Sequence, residues 1–213
     1  MNLNTEKRKK MTKKILLITL IVAFATSNLI SQTSQKNIKK DFLTYINLLI
    51  NQEFTESVEY LYPELFELVS KEQLINNMEE TFKNPGIIIS LAEPNILNIG
   101  EVRLVDSLYY CKLEYSHNMY MKFEDGQDTS ITQQEKELRN NLTLSNLEST
   151  FGKENVSYDA DNSSFDILSI KDSYAKSYDG MTDWKFIDIE KDNLMLLNLL
   201  LPPKIVEEIT SEK

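Results

Sequence analysis

The stretch YYCKLEYSHNMYMKF, residues 109–123, holds the only histidine and the only cysteine of the chain. An imidazole can serve as acid, base or ligand near neutral pH, and a thiol can serve as nucleophile or metal ligand. Both fall in one alternate set: Tyr109, Cys111, Leu113, Tyr115, His117, Met119, Met121 and Phe123. The other set is Tyr110, Lys112, Glu114, Ser116, Asn118, Tyr120 and Lys122. This period of two predicts one long strand with an apolar face and a wet face, His117 and Cys111 pointing the apolar way. On such a face a thiol is an inert small hydrophobe. His117 is either a core histidine with a satisfied hydrogen bond or a group that meets a ligand.

Other chemistries fail on residue supply. One His and one Cys exclude the usual zinc clusters. No nucleophile-elbow serine motif, phosphate-binding loop or dinucleotide fingerprint occurs. Asp125 to Asp128 partially matches a calcium loop but lacks its twelve-residue spacing and closing glutamate. No metal and no cofactor is expected. Asn141, Asn155 and Asn162 begin glycosylation-type triplets, a chance outcome in so Asn-rich a chain. Asp106 and Asp166 flank strands, but their spacing does not fix which way they face, and no catalytic residue is assigned.

The elements that must position this strand begin after an N-terminal leader. Residues 1–14 carry six basic residues against Glu6, and Ile15 to Ala25 is an apolar run interrupted only by Thr19. Ala23-Phe24-Ala25 supplies a small-residue exit. These are the parts of a secretory signal peptide, read as residues 1–27, and the run is short for a membrane span. No cysteine follows it for lipid attachment. Residues 28–35 read as a polar linker, and residues 36–213 as a single domain without repeats. Composition rich in Asn, Lys, Ile and Leu suggests an AT-rich bacterial genome, hence a periplasmic or extracellular destination. Without a second cysteine no internal disulfide forms, and the domain must stand on its core.

The whole chain has 23 basic and 33 acidic residues, net −10. Removing the leader takes net charge to about −15, which gives no electrostatic reason to bind nucleic acid or an anionic membrane surface.

Helical periodicity opens the domain, with Ile38, Phe42, Tyr45, Ile46 and Leu49 on one face. A short helix from Phe54 to Leu61 stops at Tyr62-Pro63. Ser70-Lys71-Glu72-Gln73 is a capping box, and Leu74, Ile75, Met78 and Phe82 follow it. After Asn84-Pro85-Gly86 the period changes to two. Strands are expected at Ile87–Leu91, at Ile96–Val105 with a bend near Gly100, and then in the long strand. A helical insertion near 127–163 carries Leu138, Leu142, Leu144, Leu147 and Phe151, closed by Gly152. Strands from Phe165 and from Trp184 follow, and Leu194–Leu201 leads to a last helix after Pro202-Pro203.

Helices followed by antiparallel strands make an α+β order. With the "YLYPELF" break and the closing strand "DWKFIDI", residues 36–190 resemble the NTF2-like superfamily, cone-shaped domains with N-terminal helices packed on a curved antiparallel sheet. The resemblance implies a pocket between sheet and helices. The apolar face of the long strand would line it with Tyr109, Cys111, Leu113, Tyr115, His117 and Met119, joined by Trp184 and Phe186. It also implies two functions. The first is a secreted, non-enzymatic domain that binds a small apolar ligand or an envelope protein. The alternative is a pocket enzyme, an isomerase, dehydratase or hydrolase, with His117 or a buried carboxylate as base. A third possibility is a module whose pocket is filled by its own side chains. The wet face of the long strand argues for a monomer or a weak dimer.

Overall fold

The computed structural model describes residues 32–124 and 131–211. The leader 1–27 and the turn from Asp125 to Asp128 lie outside the described residues. Helix α1 is described over 32–50. Residues 32–35 are therefore helical, a correction to their reading as linker. Their polar side chains are clamps. The Ser34 hydroxyl donates to the Gly180 carbonyl (2.6 Å), and the Gln35 amide donates to the carbonyls of Ile99 (3.1 Å) and Gly100 (2.9 Å). The Asn37 amide donates to the Met181 carbonyl (2.7 Å). Apolar periodicity is blind to a helix end held by polar groups.

Helix α2 is short (Phe54–Ser57) and passes into 3-10 turns at Val58–Tyr60 and Pro63–Glu67. Between the two turns Leu61 forms a parallel bridge with Phe186, so the "YLYPELF" break is stitched to the sheet. Helix α3 (Lys71–Phe82) starts at the capping box expected for Ser70 and Gln73.

Seven strands form one open antiparallel sheet among the described residues. Strands β1 (Ile87–Leu91), β2 (Asn95–Ile99) and β3 (Arg103–Val105) are successive pieces of one bent run against β4 (Leu108–Phe123). Asp106 and Ser107 turn that run back with positive φ at both positions. Helix α4 (Gln133–Phe151) fills the expected insertion, and β5 (Val156–Asp159) follows it. Strand β6 (Ser164–Ser177) pairs with β4 along its whole length, and β7 (Lys185–Asp188) pairs with its far end. Helices α5 (Leu194–Leu200) and α6 (Pro203–Ser211) close the chain.

Register places the odd-numbered residues of β4 and β6 on one face, here called inner. Ile38, Phe42 and Ile46 of α1 pack there against Cys111, Leu113, Tyr115, Ala175, Trp184 and Phe186. Further along, α4 lays Leu144, Leu147 and Phe151 against Val156, Phe165 and Ile167, beside Met119 and Met121. The outer face takes α5 and α6, whose Leu197, Leu200, Ile205 and Ile209 cover Tyr62, Val105, Tyr110 and Tyr174. Tyr110 is thus buried although it belongs to the wet set, because the C-terminal helices dry that end of the strand. Each large side chain buried in these clusters stabilises the fold by about 2–3 kcal/mol. No helix among the described residues is long and apolar enough to cross a membrane.

Candidate functional site

Helix α1 covers the inner face of β4 from Cys111 to Tyr115, and α4 covers it from Met119 onward. A strip remains between them. Its centre is His117, opposite Ser169 on β6. One step toward α1, Tyr115 stands opposite Lys171, and Asp188 of β7 stands beside Ser173. From α1, Tyr45 lies against Phe186, ring centroids 6.1 Å apart and nearly parallel. The strip is therefore polar where both flanks are apolar.

Its bonds are specific. The Tyr115 hydroxyl donates to Asp188 Oδ2 at 2.9 Å, and Lys171 Nζ stands 3.5 Å from the same oxygen. Asp188 and Lys171 keep a little over a third of their side chains exposed. The His117 ring lies flat on Tyr115, centroids 5.7 Å apart at 17°. His117 Nδ1 is buried with no hydrogen-bond partner among the described residues. Ser169, across the ladder, is buried.

Titration follows from these surroundings. Burial first, then the charge of Lys171, pushes His117 below its ordinary value, with Asp188 opposing. The imidazole is neutral at physiological pH. Burial and the nearby Asp188 carboxylate hold Tyr115 and Tyr45 well above the ordinary phenol range, so both remain protonated donors. Burial pushes the Cys111 thiol up to about 12. Its Sγ lies 3.3 Å from the Gly100 carbonyl oxygen, and it is the inert thiol the sequence implies.

The sequence-derived pocket residues separate into two groups. Trp184 and Phe186 are fully buried under α1 and are core. Tyr109 packs at the edge of the same cluster. Tyr115 is buried as well, yet its hydroxyl reaches the strip; His117 is its centre and Met119 borders it. Asp106 lies in the exposed turn before β4, and Asp166 is on the outer face, so neither reaches the strip. Three contributors were not singled out from sequence: Lys171, Ser169 and Asp188. Asp188 stands inside "DWKFIDI", and only the β6–β7 register shows that it faces inward.

The strip offers a neutral imidazole, an ammonium, a carboxylate whose Oδ2 is engaged, and two phenols, with methionine and aromatic carbon around them. Such a set can hold a molecule with an apolar body and a polar end. Among the described residues no group of His, Cys, Asp and Glu could hold a metal ion. No family model matches this chain, and no curated protein or solved structure matches it.

Proposed function

We propose that this chain is a secreted, non-enzymatic binding domain of NTF2-like type whose inner-face strip takes a small ligand with an apolar body and a polar end. The observation that carries the reading is the partly exposed Asp188–Lys171 pair, held from below by the buried Tyr115 hydroxyl, beside a half-buried His117 ring whose Nδ1 has no partner among the described residues. A buried polar atom left unpaired costs about 1–3 kcal/mol, and a ligand whose polar group turned the His117 ring enough to pair Nδ1 would recover that cost. The flanking apolar helices supply the walls for a hydrocarbon body. Secretion rests on the basic and apolar leader, and the NTF2-like reading rests on element order with the "YLYPELF" and "DWKFIDI" segments.

A second reading has one specific observation behind it. A neutral imidazole beside a carboxylate is the protonation state a general base requires. Among the described residues, however, no hydrogen bond joins His117 to Asp188, whose Oδ2 is held by Tyr115 and Lys171, so His117 would have to carry proton transfer without a carboxylate orienting it. Binding is the better-supported function.

The test is a two-dimensional NMR titration with decanol, decylamine and decanoate as probes. The reading expects saturable shifts confined to Tyr45, Tyr115, His117, Ser169, Lys171 and their neighbours for at least one probe. Shifts scattered over the surface, or none with all three, would refute it.

A further inference from the structure

The outer edge of β6 is only partly covered. Strand β5 pairs with Ser164 to Ile167 and β7 with Ser173 to Lys176, and Ile189 bonds Asp172, which leaves Leu168 to Lys171 between them. That gap is about 10 Å at ~3.3 Å per residue. In an antiparallel ladder the N–H and C=O of one residue point to the same side, and the side alternates along the strand. The carbonyls of Asn118 and Lys112 accept from Ala92 and Gly100, both at 2.8 Å, so even-numbered residues of β4 turn away from β6. Their register partners on β6, which include Leu168 and Tyr174, are even-numbered too and turn away from β4. The Asp172 carbonyl agrees, accepting from Ile189 N–H at 2.8 Å on the outer side. The N–H and C=O groups of Leu168 and Ile170 therefore point out of the sheet edge, with no backbone partner among the described residues.

These groups face a notch of about 600 Å³ bordered by Phe151, Leu168, Ile170 and Ile189. Glu114, Glu190, Lys171 and Lys191 also border it. Lys171 pairs with Asp188 and Lys191 is engaged as well, whereas neither glutamate has an ion-pair partner among the described residues. Asp172 is different, since Lys112 stands 3.2 Å from it. Ile170 is 54% exposed and Leu168 37%.

We infer that this notch binds an extended segment of a partner protein that alternates apolar and basic residues and adds as a short strand to β6. Unpaired, outward-facing backbone groups call for another extended backbone. The two unpaired carboxylates select its charge. A lysine opposite Ile170 lies on the outer face, covers Ile170 with its methylene stem and carries its ammonium to Glu114 and Glu190. Its two neighbours point inward, where Phe151 gives apolar contact. This edge is a different surface from the inner-face strip, and only Lys171 borders both.

The probe is a fluorescein-labelled acetyl-Val-Lys-Val-Lys-Val-amide, with the Val-Glu-Val-Glu-Val peptide as control, followed by anisotropy and amide exchange. The expected result is saturable binding of the lysine peptide, at least about tenfold tighter than the glutamate peptide and weakened by salt. Bound peptide protects the Ile170 amide from exchange. Ile170→Pro removes an outward donor but no bond to β4, so it folds and does not bind. Glu114→Gln with Glu190→Gln erases the charge preference while the fold is unchanged. Equal affinity for the two peptides, an Ile170 amide left unprotected by bound peptide, or a folded Ile170→Pro protein that binds normally would overturn the inference. So would an Ile170 amide already protected in free protein in proportion to its concentration, since a second copy would then occupy the edge.

Discussion

His117 is held flat against Tyr115 with one nitrogen sealed from solvent, and this arrangement makes its proton count depend on folding. Burial and Lys171 set its folded pKa below the ordinary 6.5. Between those two values the unfolded chain binds more protons than the folded one, so stability rises with pH across that window. It is lost as pH falls through 6.5 toward the folded value and is fully lost below both. His117→Gln should flatten the dependence of Tm on pH between about 7 and 5, as scanning calorimetry at a series of pH values would show. A slope equal to wild type would mean that some other group titrates there. Tyr115→Phe keeps the ring stack and removes the hydrogen bond to Asp188, at a cost of about 1–2 kcal/mol by urea denaturation. At this scale the sequence disclosed which way His117 faces, because alternation along one strand is a local property. It did not disclose Lys171 or Asp188, because their facing depends on pairing between strands far apart in sequence.

Elements hold these residues in place through their ends and turns. The hairpin from Ser177 to Thr182 is tied by Asp179, which accepts from Met181 N–H, Thr182 N–H and the Thr182 hydroxyl. Those bonds hold the exposed Asp179 carboxyl far below its usual range. Gly180 follows with φ +71°, and a Cβ there would fall 2.7 Å from the Tyr109 ring. Gly180→Ala is both strained and crowded, and should lose about 2 kcal/mol of stability by chemical denaturation. An unchanged midpoint would mean that Tyr109 yields freely. Helix α4 starts at a second capping box, Thr132 with Glu135, which the sequence reading overlooked because the first turn is so polar. Thr132→Ala should cost about 1 kcal/mol, visible as faster amide exchange in the first turn of α4. The long helices, the bent edge run and the paired long strands were legible because their periodicity is sustained. Strand β5 was not, since four residues with two apolar side chains carry too short a pattern.

At the scale of the whole molecule the sheet is covered on both faces by elements from opposite ends of the chain. The C-terminal helices seal the outer core, where Lys176 is 2% exposed. Its ammonium pairs with Glu64 and stands 4.2 Å from the Tyr62 ring centroid. Glu64→Gln strands that charge, and because Glu64 is itself over a third exposed the cost should fall between the surface and buried limits, about 2 kcal/mol. Urea denaturation measures it, and no change would place Lys176 in better contact with water than its burial implies. The α+β class and its order of elements were readable because the change of period from 3.6 to 2 marks the layer boundary. That the tail after Glu190 supplies six of the buried core residues, and with them the cover of the outer face, was not readable. A short amphipathic helix carries no record of the face it covers, and the NTF2-like resemblance ends before it.

The central claim is that the strip around His117 is a binding surface. It is tested most directly by native mass spectrometry of the protein purified from the cells that make it, beside His117→Ala. The account predicts extra mass on the wild-type chain that is absent from a folded His117→Ala protein. A bare mass for both, with a lower Tm for the variant, would contradict it and make His117 a core residue.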